Sequence, residues 1–251
     1  MNPAVFIREP LYFKNKIKVF TPKVKDVIGN PRYGSYAAIF TTSQEDIWDM
    51  LAEKAGQEIT GKPVENAPTP FEFFLSNCYN SPEFMQIARD AFKFFTEEDV
   101  VINPVKKIVI FTTNIDSVEN AVDLPVIEED DYFAFQNIVR AALGENPVEP
   151  PDTTLNPKVA MIKAKGRLRE KIKKKKGNQS GIKFDTILVA LCCMGIGINP
   201  LNIGEIPYPA INEIFSMMQA KEKYETDLKV ATAGFGNSKV KPKYWIKNSD
   251  K

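Results

Sequence analysis

The chain has 251 residues, of which 33 are basic and 32 acidic, so its formal charge is only +1. It contains three cysteines and no histidine. The missing imidazole excludes Ser-His-Asp and Cys-His nucleophiles and imidazole metal ligands, and three cysteines without histidine do not favour a closed zinc site. Sparse cysteines are typical of a reducing compartment. We therefore expect a non-enzymatic globular protein with no cofactor.

Neither a signal peptide nor a membrane span is predicted. The N-terminal sequence MNPAVFIREPLYF lacks a charged segment followed by a long apolar one. The most apolar run, Ile187 to Ile198, has twelve residues, whereas an α-helix needs about 20 to cross a bilayer. This run predicts a helix that is buried on all sides, with Cys192 and Cys193 as inert packing residues.

The first part of the chain combines short alternating runs with amphipathic stretches. The pair Thr21-Pro22 predicts an N-terminal cap followed by the first helical position. Ser43, followed by acidic residues, predicts another helix start. In chain order, the predicted elements are a hairpin over 10–20, a short helix that begins at Pro22 and runs through Ile28, a helix from Ser43, helices over 70–79 and 82–95, a hairpin over 99–112, a short strand over 124–127 and a helix from Asp130 to Leu143.

Residues 146–157 hold four prolines and predict an extended linker. The linker divides the sequence into an α+β domain over 1–145 and a helical module with a basic tail over 158–251. The three predicted helices of the module cover residues 158–176, 183–194 and 209–231. Taken together, the patterns predict an α+β fold that is predominantly helical, with small antiparallel hairpins in its N-terminal part.

Two patterns that resemble catalytic motifs are explained better as ordinary structure. Residues 56–62, GQEITGK, match the first positions of a P-loop, but Pro63 stands where a Ser or Thr hydroxyl would bind magnesium. Four consecutive acids, Glu128 to Asp131, precede a predicted helix. Acids at that position favour an interaction with the helix dipole over a catalytic carboxylate pair.

The segment from Lys158 to Lys183 contains eleven basic residues and one acid, whereas residues 97–131 contain ten acids and two lysines. This separation predicts electrostatic binding within the chain, to other proteins, or to nucleic-acid phosphates. No aromatic side chains interleave with the basic segment to stack on bases, which favours a protein partner and leaves nucleic acid as the alternative. The central lysines are candidate partner-binding residues: Lys173, Lys174, Lys175 and Lys176.

From about residue 160 onward a basic helix, an apolar helix, a turn-rich stretch, a charged helix and a tryptophan-containing end follow one another. The pattern is carried by Asn199, Leu201, Asn202, Ile203, Ile206, Tyr208, Phe215, Glu222, Tyr224 and Trp245. This layout resembles tail-assembly proteins of contractile-tailed bacteriophages, a group that includes baseplate-hub proteins and tape-measure chaperones. The resemblance covers about 90 of the 251 residues and includes no catalytic motif.

The resemblance implies a non-enzymatic tail or baseplate protein, either structural or an assembly chaperone. Its partners would be other tail proteins, a homo-oligomer is compatible with it, and no membrane is involved. Its location would be the host cytoplasm during assembly, or the virion tail. Aromatic residues often anchor interfaces, so the candidate partner-binding set also includes Tyr208, Phe215, Tyr224, Tyr244 and Trp245. The alternative for Trp245 is that it packs the tail onto the core. The alternative for the whole protein is a nucleic-acid-binding accessory role that uses residues 158–183.

Overall fold

In the computed structural model, two small antiparallel sheets are surrounded by helices, so the predicted α+β, mostly helical fold is confirmed. The structure describes residues 9–56, 63–112, 124–148, 150, 156, 158–167, 169 and 183–233. The strands are β1 (Leu11–Phe13), β2 (Ile17–Val19), β3 (Val100–Asn103), β4 (Ile108–Phe111) and β5 (Val126–Ile127). The helices are α1 (Val24–Ile28), α2 (Tyr33–Thr41), α3 (Gln44–Lys54), α4 (Pro70–Asn80), α5 (Pro82–Thr96), α6 (Glu129–Ala142), α7 (158–167), α8 (Phe184–Cys193) and α9 (Tyr208–Thr232).

Both predicted hairpins are present. β1 pairs with β2 in a register that sets Phe13 opposite Ile17, and the connection places Lys14 and Asn15 at positive φ, 49° and 57°. Asparagine tolerates this left-handed backbone better than most residues. β3 pairs with β4 antiparallel, and the predicted short strand joins them as β5, on the other edge of β4.

The predicted helix starts of α3, α4 and α5 are confirmed by their caps. The Ser43 hydroxyl accepts a hydrogen bond from the Asp46 N–H at 3.1 Å, and the Asp46 carboxylate accepts one from the Ser43 N–H at 3.0 Å. Thr69 makes the same reciprocal arrangement at the start of α4. The Ser81 hydroxyl caps α5. These side chains satisfy backbone donors that have no partner inside the helix.

The predicted cap of α1 is wrong. The helix begins at Val24 after Lys23, two positions later than the Thr21-Pro22 pair indicates. Tertiary pairing explains the delay, because the Pro22 carbonyl accepts a hydrogen bond from the Tyr208 N–H at 2.9 Å. Lys23 also forms a β-bridge with Pro207. These interactions require Pro22 and Lys23 to have an extended backbone conformation. A helix that began at Pro22 would not allow this conformation.

Helix α2, which no sequence pattern predicts, completes a core rich in phenylalanine. Phe92 on α5 lies among the rings of four other phenylalanines, at centroid distances of 5.0 to 6.2 Å, and is fully buried. Edge-to-face and offset aromatic pairs of this kind add to the energy of burial. We call this cluster the aromatic core; its fully buried rings are Phe40, Phe71, Phe92, Phe95, Phe111, Tyr132 and Phe135.

The beginning of the predicted linker lies against α6. The Asn137 side chain accepts a hydrogen bond from the Val148 N–H at 2.8 Å and donates one to the Val148 carbonyl at 3.2 Å. The Arg140 side chain donates to the Asn146 carbonyl at 3.0 Å. Residues 145–148 therefore have no regular secondary structure but are held by side chains of the preceding helix.

Helix α8 is present where the apolar run predicts it, but the prediction that it is buried on all sides is wrong. Only Leu191 is buried, and Val189 is 62% exposed. Cys193 is also exposed and Cys192 is half-buried, so the prediction that both are buried packing residues is wrong as well. The reason is tertiary, since α8 packs on other elements along one side only.

Candidate protein-binding surface

The C-terminal module is joined to the N-terminal region at α1. The Val24 N–H donates to the Ile206 carbonyl at 3.0 Å, beside the backbone pairing of Lys23 with Pro207. Glu205, in a single 3₁₀ turn (Ile203–Glu205), binds the ammonium groups of both Lys23 and Lys25, the latter at 2.5 Å. The two lysines hold the pKa of this carboxyl at about 2, well below its ordinary value of 4.5.

A small hydrophobic cluster underlies this junction. Its buried members are Val24, Leu191 and Ile211, from α1, α8 and α9. We call this cluster the second core. Its partly buried periphery consists of Phe184, Ile187, Leu188, Met194, Ile198, Ile203, Ile206, Ile214 and Phe215. Because Val24 precedes the predicted linker, one third of the buried members comes from outside the predicted module.

Tyr208, a candidate partner-binding residue, lies at the first position of α9 and makes contacts within the chain. Its ring lies 5.4 Å from that of Tyr33 and 5.2 Å from that of Phe184. Burial raises the pKa of the Tyr208 hydroxyl. Tyr208 therefore connects α2, α8 and α9. Phe215 likewise packs against the second core and is half-buried.

Helix α9 is anchored by its first turn. Its 25 residues give a length of about 37 Å at 1.5 Å per residue. The buried residues of α9 are Pro209, Ala210 and Ile211. None of residues 212–232, all within the described part of the chain, is buried. Tyr224, another candidate, is half-buried in this long outer part.

Several large apolar side chains of the module face solvent. Leu201, in the turn before α9, is 94% exposed, while Met217 and Leu228 on α9 are 46% and 41% exposed. The turn itself is rigidified by asparagines, because the Leu201 N–H donates to the Asn199 side chain at 2.9 Å and the Asn202 side chain donates to the Gly197 carbonyl at 2.8 Å. Exposed apolar side chains indicate a protein-binding surface where several of them form one contiguous patch.

The basic segment supplies an ion pair within the chain. Arg167 on α7 contacts Glu45 at 2.9 Å and the buried carboxylate of Asp49 at 3.3 Å, both on α3. Ala160 and Ala164, which are buried on the same face of α7, allow a close approach. The other candidates, Lys173, Lys174, Lys175, Lys176, Tyr244 and Trp245, lie outside the described residues.

A concave feature lies in the N-terminal region. A cavity of about 270 Å³ opens between α2, α4 and α5. Its wall is mainly apolar, with hydroxyl and amide groups from Ser35, Thr42 and Asn77. The described lining contains no charged side chain, so the cavity has space for an apolar group but no acid or base that would activate its hydroxyls. Sequence reasoning missed it because α2 was not predicted.

Within the described residues, the motifs that resemble catalytic sites do not form a catalytic site. No group of three or more His, Cys, Asp and Glu side chains there is close enough to hold a metal ion. At the start of α6 the Asp131 carboxylate accepts a hydrogen bond from the Glu128 N–H at 3.4 Å, and Glu129, Asp130 and Asp131 lie in the first turn, in agreement with the dipole interpretation. Only Gly56 of the P-loop-like stretch is described; it follows α3 at φ +66°, and residues 57–62 lie outside the described part.

Comparisons with protein-family models, with curated proteins and with solved structures give no match. Among the described residues, no helix is both long and apolar enough to cross a membrane. The arrangement of the described side chains is therefore the basis for a functional proposal, together with the layout of the C-terminal sequence.

Proposed function

We propose that this protein is a non-enzymatic assembly protein of a contractile bacteriophage tail or baseplate, and that it binds other tail proteins through its C-terminal module. The observation that carries the proposal is the geometry of α9. The helix is fixed to the second core by its first turn, and residues 212–232 remain unburied. A framework that holds a long helix away from its own core makes that helix accessible to another protein.

The exposed apolar residues of the module support a binding role. Val189, Leu201 and Met217 come from three consecutive segments of the module, and all are exposed. Burying such side chains in an interface contributes about 25 cal/mol for each Å² removed from water. Binding of this kind needs no catalytic group, which agrees with the absence of histidine from the sequence.

The phage-tail setting is supported by the sequence layout of residues 199–224. Asn199 and Asn202, two positions of that pattern, form hydrogen bonds that shape the turn before α9. Tyr208, a third position, contacts aromatic rings of both α2 and α8. These positions have structural roles that would preserve the presentation of α9, as expected of a scaffold for assembly.

The test is quantitative mass spectrometry of the protein in infected-cell lysate and in purified phage particles. A fixed small copy number in particles would identify a structural component. Abundance in lysate with a co-purifying tail protein, and absence from particles, would identify a chaperone. Failure of every tail protein to co-purify with the full chain, together with absence from particles, would contradict the proposal.

A matched pair of variants tests whether the module carries the binding. Leu201→Lys changes a residue of the module that is 94% exposed, and Val105→Lys changes one of the N-terminal region that is 81% exposed. Neither substitution disturbs a packed core, so thermal unfolding should be unchanged. We expect less tail protein to co-purify with the Leu201→Lys variant than with the wild type. The Val105→Lys variant should co-purify with the same amount as the wild type. Equal losses would place the binding outside the module.

A further inference from the structure

Helix α9 carries a stripe of residues with the spacing of a coiled coil. The intervals alternate between three and four residues, which corresponds to the a and d positions of a heptad. On an α-helix this spacing sets the side chains along one face. We call the set the α9 stripe; it consists of Ile214, Met217, Lys221, Tyr224, Leu228 and Ala231.

The stripe lies on a different face from the one that packs on the second core. At about 100° per residue, Met217 and Leu228 lie roughly 100–120° around the helix from the buried Ile211. Both are exposed, as is Ala231, while Ile214 borders the second core. The described part of the chain therefore uses the inner face of α9 and leaves these apolar side chains of the stripe in contact with water.

The charges that flank the stripe all have one sign. In the same heptad, Glu213 and Asp227 occupy g positions and Glu225 an e position, and none of the three is buried. The remaining e and g positions are uncharged. The cation within the stripe, Lys221, lies 3.8 Å from Glu225. In paired helices, the charges at the e and g positions determine which partner binds. Acidic residues on both sides of the stripe therefore favour a partner helix with basic residues on both sides of its contact face.

A second copy of this chain does not supply that complement. In a parallel pair, Lys221 would face its own counterpart at an a position. In the antiparallel pair that sets Met217 against Leu228, Glu213 would face Asp227, and Glu225 would face itself. Like charges at these positions destabilise pairing. The charge pattern therefore disfavours self-association through the stripe and favours a different protein.

We propose that the α9 stripe is the docking site for an amphipathic helix of another protein, with apolar residues along its contact face and Lys or Arg on both flanks. This inference rests on the proposed binding function and specifies the chemistry of its partner. The partner helix buries Met217 and Leu228, and its basic flanks pair with Glu225 and Asp227. Its affinity decreases with salt, because the flanking pairs lie at the solvent-exposed rim.

Two designed peptides probe the site directly. Both have three heptads with Leu at a and d; one has Lys at e and g, and the other has Glu. Fluorescence anisotropy with the full chain measures their affinities, at peptide concentrations below self-association. We expect the Lys peptide to bind about tenfold more tightly than the Glu peptide at low salt, and the difference to decrease at high salt. Equal affinities, or no binding of either peptide, would overturn the inference.

Variants of residues that are not buried separate the stripe from the rest of the surface. The double change Met217→Lys with Leu228→Lys should abolish binding of the Lys peptide, whereas Val105→Lys, an exposed change in the N-terminal region, should leave it unchanged. Asp227→Lys should weaken binding of the Lys peptide and strengthen binding of the Glu peptide. Glu222→Lys makes the same charge change on the same helix, away from the flanks, and should alter neither preference. Equal effects of stripe and control variants would overturn the inference.

The outcomes distinguish this inference from the proposed function. If tail proteins co-purify with the wild-type chain and equally with the Met217→Lys, Leu228→Lys double variant, the stripe is not the docking site and the proposed function stands. If no tail protein co-purifies but the peptide preferences and their controls hold, the stripe is supported and the phage-tail setting fails. A wild-type dimer in sedimentation that the double variant dissociates would overturn the choice of partner.

Discussion

The aromatic core and the second core use apolar residues in different ways. The aromatic core encloses Phe40, Phe92 and Phe135 completely, with helices and both sheets around them. The second core buries only Val24, Leu191 and Ile211, while apolar residues of α8 and α9 remain in contact with water. The first region thus buries a large set of rings completely, and the second leaves a share of its apolar side chains exposed.

The C-terminal module also depends on the N-terminal region for part of its core. Val24 belongs to the N-terminal sequence but is buried in the second core, and the Pro22 and Lys23 backbone pairs with the residues that precede α9. Residues 158–251 therefore do not contain all of the second core. We infer that the N-terminal region acts as the rigid support and that the module is the more easily unfolded of the two, because fewer apolar contacts hold it.

The largest expected effect tests the stronger region. Phe92→Ala removes a fully buried ring that contacts four other phenylalanines, and should lower the free energy of unfolding by about 4 kcal/mol. Urea unfolding followed by circular dichroism measures it. Tyr79→Ala, at an exposed position of α4, is the control and should stay within about 0.5 kcal/mol of wild type. If Phe92→Ala lowered the free energy of unfolding by no more than Leu191→Ala, there would be no contrast in stability between the two cores.

The next effect tests the weaker region. Leu191→Ala leaves a cavity in the second core and should cost about 3 kcal/mol. Hydrogen exchange should show lost protection in α8 and in the first turns of α9, with α5 still protected, because the second core opens independently. Val189→Ala, an exposed change on the same helix, should have little effect. Equal loss of protection in α5 would mean that the two cores unfold as one unit.

A smaller effect is expected where α7 joins α3. Arg167→Met removes the guanidinium that pairs with the buried Asp49 carboxylate and should cost about 2 kcal/mol, less than for a fully buried pair because Arg167 is partly exposed. Urea unfolding is again the measurement. Arg169→Met, an exposed change on the same segment, should stay within about 0.5 kcal/mol. A similar cost for the two arginines would show that the ion pair contributes no specific stability.

The smallest effect concerns the exposed ion pairs at the junction. Carboxyl NMR should give Glu205 a pKa of about 2, below its ordinary 4.5, and Lys23→Met or Lys25→Met should raise it. Because the pKa is lower in the folded state, these pairs contribute fully above pH 4.5, and their contribution is lost as the pH falls towards 2. An ordinary pKa for Glu205 would mean that the backbone pairing and the second core hold the junction without a contribution from these ion pairs.

Local chemistry made much of the fold predictable. Ser43 and Thr69 begin helices because their hydroxyls accept hydrogen bonds from the first free backbone N–H groups, and this depends on a few neighbouring residues. Both hairpins follow from alternation around a turn. Helix α2 was missed because its sequence, YGSYAAIFT, has weak helix formers and no strong polar face. Packing of Phe40 and Tyr36 in the aromatic core stabilises it instead.

The candidate site was predictable only in part. The aromatic residues at 208, 215 and 224 were identified as anchors, and the structure places the first two against other parts of the chain, beside the surface that they help to position. The α9 stripe could have been found from its three-and-four spacing, but the sequence could not show which of the two apolar faces of α9 packs on the second core. Arg167 could not be distinguished from the ten other basic residues of its segment without the position of Asp49.

The sequence by itself determined most of the local elements, the absence of imidazole chemistry and the unequal distribution of charge, because each depends on residue type or on neighbours a few positions away. Tertiary structure decided where α1 begins, which side of α8 is buried and how far α9 extends beyond its support. These features depend on contacts between residues distant in sequence, such as Pro22 with Tyr208. An apolar residue is buried only where another element covers it, and its own sequence does not specify that element.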